Sequence, residues 1–241
     1  MPRRPFIRKQ KRKQHGTNFW DKEYTQADHL ALSTEPSEDF LKFTRFCERH
    51  HPHLLAPDSL AFDAGCGNGR QLRYLKERYA MRIAGYDSSA AAVKQARVLC
   101  DEASETLLVR SIAEPILLPD ETCTVTLDMM SSHFLSKNQR ERLRDELARI
   151  LSSGSILLMK TFLRDDDLHT ARLLRDHPGP EEFSYIHPII GVPEYVYSEM
   201  ELREFLAPHF TILRLYRSHK HRYRGQARKR RTITVYAQKT R

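Results

Sequence analysis

The sequence predicts an α/β protein with a doubly wound, mostly parallel seven-stranded sheet whose last strand is antiparallel. Short apolar runs alternate with amphipathic helical patterns through residues 59–162, and this alternation is typical of right-handed crossovers that build a parallel sheet. The first apolar run leads directly into a glycine-rich loop. The last two apolar runs, 210–216 and 232–237, are joined by a segment too short for a helical crossover, which predicts an antiparallel pair.

The elements follow in order along the chain. Ser37 is placed to cap a first helix, in which Phe40, Phe43 and Cys47 recur at helical spacing. Hydrophobic periodicity then predicts strands at 59–63, 81–87, 107–112, 124–129 and 156–162, alternating with helices near 72–79, 90–99 and 139–151. A helix that begins after three aspartates, an ordered excursion at 177–197 and a helix at 199–206 precede the final strand pair.

Positive charge is unevenly distributed. The 241 residues carry a formal net charge of +9, concentrated in the first 13 residues and in 217–231. We interpret residues 1–16 as a basic disordered arm and 17–241 as a single domain. Within this domain, residues 17–56 form an N-terminal lid segment and helix, and residues 177–197 form an insertion on the ligand-binding side. Such basic clusters suit a polyanion such as RNA, although they could equally be solvated surfaces.

Several classes of protein are disfavoured by composition. No apolar run approaches the ~20 residues that span a bilayer, and the basic N-terminus has no following signal-peptide core, so we expect a soluble cytoplasmic protein. The four cysteines are scattered without a Cys-x-x-Cys pair. The histidine-rich stretch 50–53 lacks regular ligand spacing, so we predict no metal site.

Chemistry-bearing residues lie where the predicted strands end. Asp63 ends the first strand and is followed by Gly65, Gly67 and Gly69, so the backbone can turn tightly and approach a ligand. Asp87 ends the second strand, where a carboxylate can accept hydrogen bonds from both hydroxyls of a ribose. The sequence therefore predicts a nucleoside-like ligand at the carboxyl edge of the sheet.

The order Asp-x-Gly-x-Gly-x-Gly over residues 63–69, with Asp87 at the next strand end, resembles the class I S-adenosylmethionine-dependent methyltransferase family. The resemblance implies a Rossmann-like methyltransferase fold and S-adenosylmethionine as cofactor, and it covers roughly residues 20–239. It implies the following cofactor-binding residues: Asp63, Gly65, Cys66, Gly67 and Gly69 in the loop, Asp87 and Ser88 at the ribose, Ile112 and Ala113 at the adenine, Asp128 and Met129 near the methyl group, and Trp20 and Tyr24.

Two parts of this resemblance carry alternatives. Trp20 and Tyr24 resemble an aromatic lid that closes over the methionine end of the cofactor, whereas they could also be a packed anchor for the N-terminal helix. Many family members carry an aspartate where this chain has Ile112, so the adenine amino group needs another partner, such as Glu114 or the backbone.

Candidate catalytic and acceptor-binding residues come from the later strand ends. His133 and Asp128 follow the fourth strand; His133 could be a general base, or a satisfied histidine at a helix start. The strand at 210–216 should run parallel to the others and so deliver the basic segment to the acceptor entrance. The acceptor-binding candidates are Tyr185, His187, Glu194, Arg217, Lys220, Arg222, Tyr223 and Arg224.

The sequence thus predicts methyl transfer from S-adenosylmethionine, with RNA or another phosphate-rich molecule as the first acceptor class. A small-molecule acceptor is the alternative, and a closed pocket formed by Tyr185, His187 and Glu194 would support it. A third possibility is a non-catalytic nucleic-acid-binding protein, which the intact glycines and Asp87 disfavour.

Overall fold

The structure is a computed structural model that describes residues 16–28, 32–101, 106–218, 222–223, 226–227 and 230–240, with the backbone alone at 16–18, 222–223 and 226–227. Its strands are β1 (Leu60–Ala64), β2 (Arg82–Asp87), β3 (Leu107–Val109), β4 (Cys123–Met129), β5 (Leu151–Phe162), β6 (Ser184–Ile186), β7 (Pro193–Tyr195), β8 (Phe210–Arg217), β9 (Arg222–Tyr223), β10 (Gln226–Ala227) and β11 (Thr232–Lys239). Its helices are α1 (Gly16–Thr25), α2 (Glu38–His50), α3 (Arg70–Tyr79), α4 (Ala90–Cys100), α5 (Lys137–Ile150), α6 (Leu168–Asp176) and α7 (Glu199–Leu206), with short 3-10 helices at Pro52–Leu55 and Ser132–Phe134.

Seven strands form one sheet in the order β3-β2-β1-β4-β5-β11-β8. The first five in this order pair in parallel, whereas β11 is antiparallel both to β5 and to β8. The predicted fold class, including the antiparallel last strand, is confirmed. Because two antiparallel pairings restore direction, β8 runs parallel to β5, and the residues after β8 and before β11 lie at the carboxyl edge of the parallel strands.

Alternating side chains of β1 explain why helices cover both faces of the sheet. Leu60 and Phe62 pack in one apolar cluster with residues of α5 and α7, whereas Ala61 packs in another with residues of α2, α3 and α4. All five residues of β1 are buried, as expected for a central parallel strand. The sheet therefore holds the carboxyl end of β1 rigidly at the centre of the molecule.

Three elements differ from the sequence-based boundaries. The third strand ends at Val109 rather than at residue 112, because the chain turns and Glu114 N donates a hydrogen bond to Ser111 O. Strand β5 begins earlier than predicted, at Leu151. The excursion at 177–197 contains the antiparallel pair β6 and β7, in which Tyr185 is opposite Glu194.

Within the described ranges, no helix is long and apolar enough to cross a membrane.

Candidate active site

A cavity of about 390 Å³ opens at the carboxyl edge of the sheet, between the loops that follow β1 to β4 and helix α1. Ligand sites of open α/β sheets lie at this edge, and the volume falls within the range of small-molecule sites. The predicted residues that line it are Trp20, Tyr24, Asp63, Gly65, Cys66, Gly67, Asp87, Ser88, Ile112 and Met129. Gly69 does not line the cavity, and it immediately precedes α3.

The loop after β1 needs glycine at two positions because other parts of the chain approach its backbone closely. Gly65 and Gly67 have φ values of +81° and +55°, in the left-handed region that side chains disfavour. A Cβ on Gly65 would lie 2.4 Å from Ser131 Cβ, and a Cβ on Gly67 would lie 2.4 Å from Tyr24 Oη. The loop is thus packed between Ser131, two residues after the end of β4, and the side chain of Tyr24 in α1.

Asp87 fastens this loop to the start of α4. Its Oδ2 accepts a hydrogen bond from Gly67 N at 2.9 Å, and its Oδ1 accepts one from Ser89 N at 2.9 Å. Burial raises the pKa of Asp87, while these two backbone donors oppose the rise. A carboxylate has lone pairs to spare beyond these two bonds, so Asp87 can still accept from hydroxyl groups in the cavity.

Asp63 is a second carboxyl group in the same cavity. Burial raises its pKa to about 8, helped by repulsion from Asp128 and Asp87 and opposed by Arg70. Asp63 and Asp87 both line the cavity, and a cationic ligand would relieve the repulsion that helps to raise the pKa of Asp63.

Helix α1 closes one side of the cavity and is held there by α4. Asp21 Oδ1 accepts hydrogen bonds from Ser89 Oγ at 2.6 Å and from Ala91 N at 3.1 Å, so it caps α4 from outside. Gln95 Nε2 donates to Tyr24 O. Trp20 makes an edge contact with Phe134, with ring centroids 5.3 Å apart. Both predicted lid residues thus face the cavity, and their role as a lid stays a prediction.

Besides Gly69, two of the predicted cofactor contacts lie outside the cavity lining. Asp128 is buried, and its Oδ1 accepts from Ser131 Oγ at 2.8 Å and from Ser132 N at 3.1 Å. It therefore positions the turn that packs against Gly65 instead of facing the cavity. Ala113 donates its N–H to Ser111 Oγ at 3.2 Å, and Ser111 lines the cavity in its place.

The remaining catalytic candidate belongs to a second group of residues, which we call the buried polar cluster: His133, Tyr185, His187, Glu194 and Arg230. Glu194 is 1% exposed; its Oε2 accepts hydrogen bonds from Tyr185 Oη and, at 2.5 Å, from Arg230 Nη1. His187 Nε2 lies 4.0 Å from Glu194 Oε1. Burial alone would raise the pKa of Glu194, but Arg230, His133 and Tyr185 outweigh it and the pKa is lowered.

His133 joins the buried polar cluster to the cavity. Its ring is 4.1 Å from that of Phe134, which lines the cavity, and 5.0 Å from that of Phe162 at the end of β5. Burial lowers the pKa of His133 to about 4, so the imidazole is neutral near pH 7. Neither ring nitrogen has a hydrogen-bond partner within the described part of the chain. No hydrogen bond among the described residues thus supports the alternative of a satisfied histidine at a helix start, and the role of His133 stays a prediction.

The basic segment lies at the predicted edge, but its described side chains have acidic partners. Arg217 pairs with Glu199, and Arg231 approaches Asp166 at 3.6 Å. Arg222 and Tyr223 form β9, which pairs with β10, and only their backbone is described. Lys220 and Arg224 lie outside the described residues, as do residues 1–15 of the basic arm.

Sequence reasoning did not name several residues that lie at the site. Ser131, Lys160 and Phe134 line the cavity, and Arg230 belongs to the buried polar cluster. Lys160 and Ser131 follow from the rule that strand ends meet at one edge. The sequence carries no comparable signal for Phe134 and Arg230, because their role depends on how distant segments pack.

The cavity suits S-adenosylmethionine. The glycine loop leaves backbone exposed where a Cβ would intrude, and Asp87 offers acceptors to a ribose. A positively charged methionine end would relieve the repulsion that helps to raise the pKa of Asp63. These features define an α/β protein with a nucleoside-binding cavity that is suited to a cation.

Comparisons with known proteins show what the chain is similar to. A model described as "Methyltransferase domain" matches residues 62–159. A methyltransferase structure from Methanosarcina mazei is 20% identical and has a TM-score of 0.64, covering 78% of this chain and 96% of that one. The structure of a 1,6-didemethyltoxoflavin-N1-methyltransferase from Burkholderia thailandensis, with S-adenosylhomocysteine bound, is 17% identical and has a TM-score of 0.64, covering 94% of this chain and 87% of that one. Residues 62–159 of this chain thus match a methyltransferase-domain model, and the whole fold is similar to that of solved S-adenosylmethionine-dependent methyltransferases.

One curated relative has a named substrate. Sarcosine/dimethylglycine N-methyltransferase of Halorhodospira halochloris is 27% identical over 143 residues, which are 58% of this chain and 51% of that protein. The chain thus spans about half the length of the curated relative that it matches.

Proposed function

We propose that this protein transfers the methyl group of S-adenosylmethionine to a small acceptor that binds between Phe134 and the buried polar cluster. The observation that carries the proposal is the cluster itself. Tyr185, His187 and Glu194 are brought together in the interior, next to the wall of the cofactor cavity, as a small-molecule site requires. Ionisable groups with shifted pKa values concentrate at functional sites, because burying them elsewhere only destabilises the fold.

In this reaction, some residues of the chain would bind the cofactor and others would exclude water. The backbone of Gly65 and Gly67 and the Asp87 carboxylate would hold the cofactor, and Trp20 and Phe134 would exclude water from its methyl end. When bound, the cofactor supplies an electrophilic methyl group on a sulfonium. Catalysis then consists chiefly of alignment, with a base needed only for an acceptor that is protonated at working pH.

His133 is the residue best placed to take such a proton. A neutral imidazole has one free lone pair, and both nitrogens of His133 lack partners within the described residues. The negative charge of Glu194 favours the imidazolium that results, which offsets part of the cost of burial. His133 thus serves as the general base for an acceptor N–H or O–H.

The relatives' names are compatible with a small acceptor. Sarcosine or dimethylglycine is the substrate in the name of the curated relative, and 1,6-didemethyltoxoflavin is bound in the B. thailandensis structure. RNA remains a second candidate for one reason, namely that β8 and β11 place the basic segment at the same edge. Arg217 and Arg231 weaken that candidate because acidic side chains already accompany them.

Two measurements test the proposal. In the first, calorimetry with S-adenosylhomocysteine should detect binding to the native protein and much weaker binding to Asp87→Ala. No binding by the native protein would contradict the methyltransferase proposal and favour a non-catalytic role. In the second, labelled S-adenosylmethionine is incubated with the protein and fractionated cell extract. Label should enter small molecules, and label in RNA would instead establish the second candidate.

A further inference from the structure

The guanidinium of Arg230 has one occupied and one free edge. Its Nη1 donates to Glu194 Oε2 at 2.5 Å. Its Nε and Nη2, which form the opposite edge, are buried and have no hydrogen-bond partner among the described residues. Two parallel N–H groups in one plane match the two oxygens of a carboxylate, which is the strongest common mode of arginine recognition.

Surrounding side chains fix the plane of this guanidinium. Its Cζ lies 3.1 Å from the ring centroid of Phe162 and 5.1 Å from that of Tyr185. Glu194 anchors one end, and Tyr185 in turn donates to the same Glu194 oxygen. The fork is therefore held in place before any ligand binds, so little side-chain entropy remains to be lost on binding.

A second unpartnered group flanks the same aromatic ring. His133 is 2% exposed, and its ring contacts Phe162 at 5.0 Å in an edge arrangement. A neutral imidazole keeps one N–H donor, which has no partner within the described chain. Buried donors that lack acceptors destabilise a protein, and an entering oxyanion would remove that penalty.

We propose that the free edge of Arg230 and the N–H of His133 bind a carboxylate group of the acceptor, so that the enzyme methylates a small organic acid. This inference rests on the proposed function. Glu194 and Tyr185 act as positioning residues, since they hold Arg230 and do not contact the acceptor. A carboxylate is favoured over a phosphate because it is planar like the fork and carries a single charge into an interior that already contains Glu194.

The route from the cavity to this carboxylate site passes Phe134. Its ring lies between Trp20 and His133, with centroid distances of 5.3 Å and 4.1 Å. An acceptor whose carboxylate is held at Arg230 would thus extend its other end past Phe134 towards the cofactor.

The direct test is nuclear magnetic resonance of protein labelled with ¹⁵N-arginine and saturated with S-adenosylhomocysteine. One arginine Nε–H signal, which is absent from Arg230→Lys, should shift saturably with acetate and not with acetamide, its neutral analogue. Arg175→Lys is the matched control, because Arg175 is exposed and pairs only with neighbouring Asp176 among the described residues. No saturable shift with acetate, an equal shift with acetamide, or tighter binding of inorganic phosphate would each overturn the carboxylate site.

The acceptor found with labelled cofactor supplies the second test. It should contain a carboxylate, and Arg230→Lys should raise its KM about 10-fold to 100-fold, the effect of losing a charged bidentate contact, without changing the KM for S-adenosylmethionine. An acceptor without a carboxylate would overturn this inference and leave the proposed function intact. Absence of S-adenosylhomocysteine binding would instead contradict the proposed function.

Discussion

At the scale of single residues, Asp63 links the acidity of the cofactor cavity to the stability of the fold. Burial raises its pKa to about 8, against an ordinary value of 3.8. At pH values between 3.8 and about 8, the folded protein keeps a proton on Asp63 that the unfolded chain has lost. The contribution of Asp63 to the free energy of unfolding therefore falls as pH rises through this range. Asp63→Asn cannot ionise, and we expect its free energy of unfolding to fall less than that of the native protein between about pH 6.5 and about pH 8.5.

Urea unfolding at both pH values measures the difference. This window lies above the range in which His133 affects stability, since burial lowers the pKa of His133 to about 4 and its contribution is lost only as pH falls below about 6.5. An equal change in native and Asp63→Asn protein would contradict the raised pKa.

A second residue-scale prediction concerns the contact between Gly67 and Tyr24. Gly67→Ala would place a Cβ 2.4 Å from Tyr24 Oη and only 3.4 Å from Tyr24 Cζ. Removing the hydroxyl therefore removes the clash, while the left-handed backbone still costs about 1–2 kcal/mol. We expect Gly67→Ala to bind S-adenosylhomocysteine about 10-fold more weakly or worse, and Tyr24→Phe to restore part of that loss.

Calorimetry on the two single variants and the double variant gives the coupling free energy of the pair. If the effects of the two substitutions simply add, Tyr24 does not determine the need for glycine at position 67.

These residues also show what the sequence could supply. Gly67 and Asp87 were predicted because loop spacing and strand ends are local features, and the structure brings them within one hydrogen bond of each other. Arg230 and Phe134 escaped prediction because they acquire a role only when β5, β11 and the segment after β4 pack together. The contact that Asp128 makes with Ser131 was missed for the same reason.

At the scale of elements, α1 is attached to the domain mainly through α4. Asp21 accepts two hydrogen bonds at the start of α4, and capping interactions of this kind are worth about 1 kcal/mol. We expect Asp21→Ala to loosen α1 and to speed dissociation of S-adenosylhomocysteine several-fold, with only a small decrease in thermal stability. Stopped-flow dissociation measures this rate.

Asp28→Ala is the matched control, because Asp28 follows α1 and pairs with Lys22 of α1 at an exposed position. Similar dissociation rates in Asp21→Ala and Asp28→Ala would show that α1 does not retain the cofactor. The sequence predicted the aromatic residues of this helix but not its attachment, since Ser89 and Ala91 give no sign of an external cap.

At the scale of the whole molecule, net charge and site charge point to different acceptors. The chain carries a formal charge of +9, whereas Arg217, Arg230 and Arg231 at the carboxyl edge all lie beside acidic side chains. Arginines that are already compensated release few counterions from a polyanion. The sequence predicted correctly where the basic segment lies, but composition carries no information on which charges are neutralised within the fold.

The salt dependence of acceptor binding distinguishes an RNA acceptor from a small organic acid. An RNA held through about six phosphates would bind roughly a thousandfold more weakly at about 200 mM than at about 50 mM salt. A small acid bound at a buried site is screened far less, because counterions do not enter the interior. We therefore expect kcat/KM for the acceptor to change less than about 3-fold over this range. The KM for S-adenosylmethionine, measured in parallel, controls for general effects of salt, and a steep fall confined to the acceptor would favour the phosphate-rich substrate.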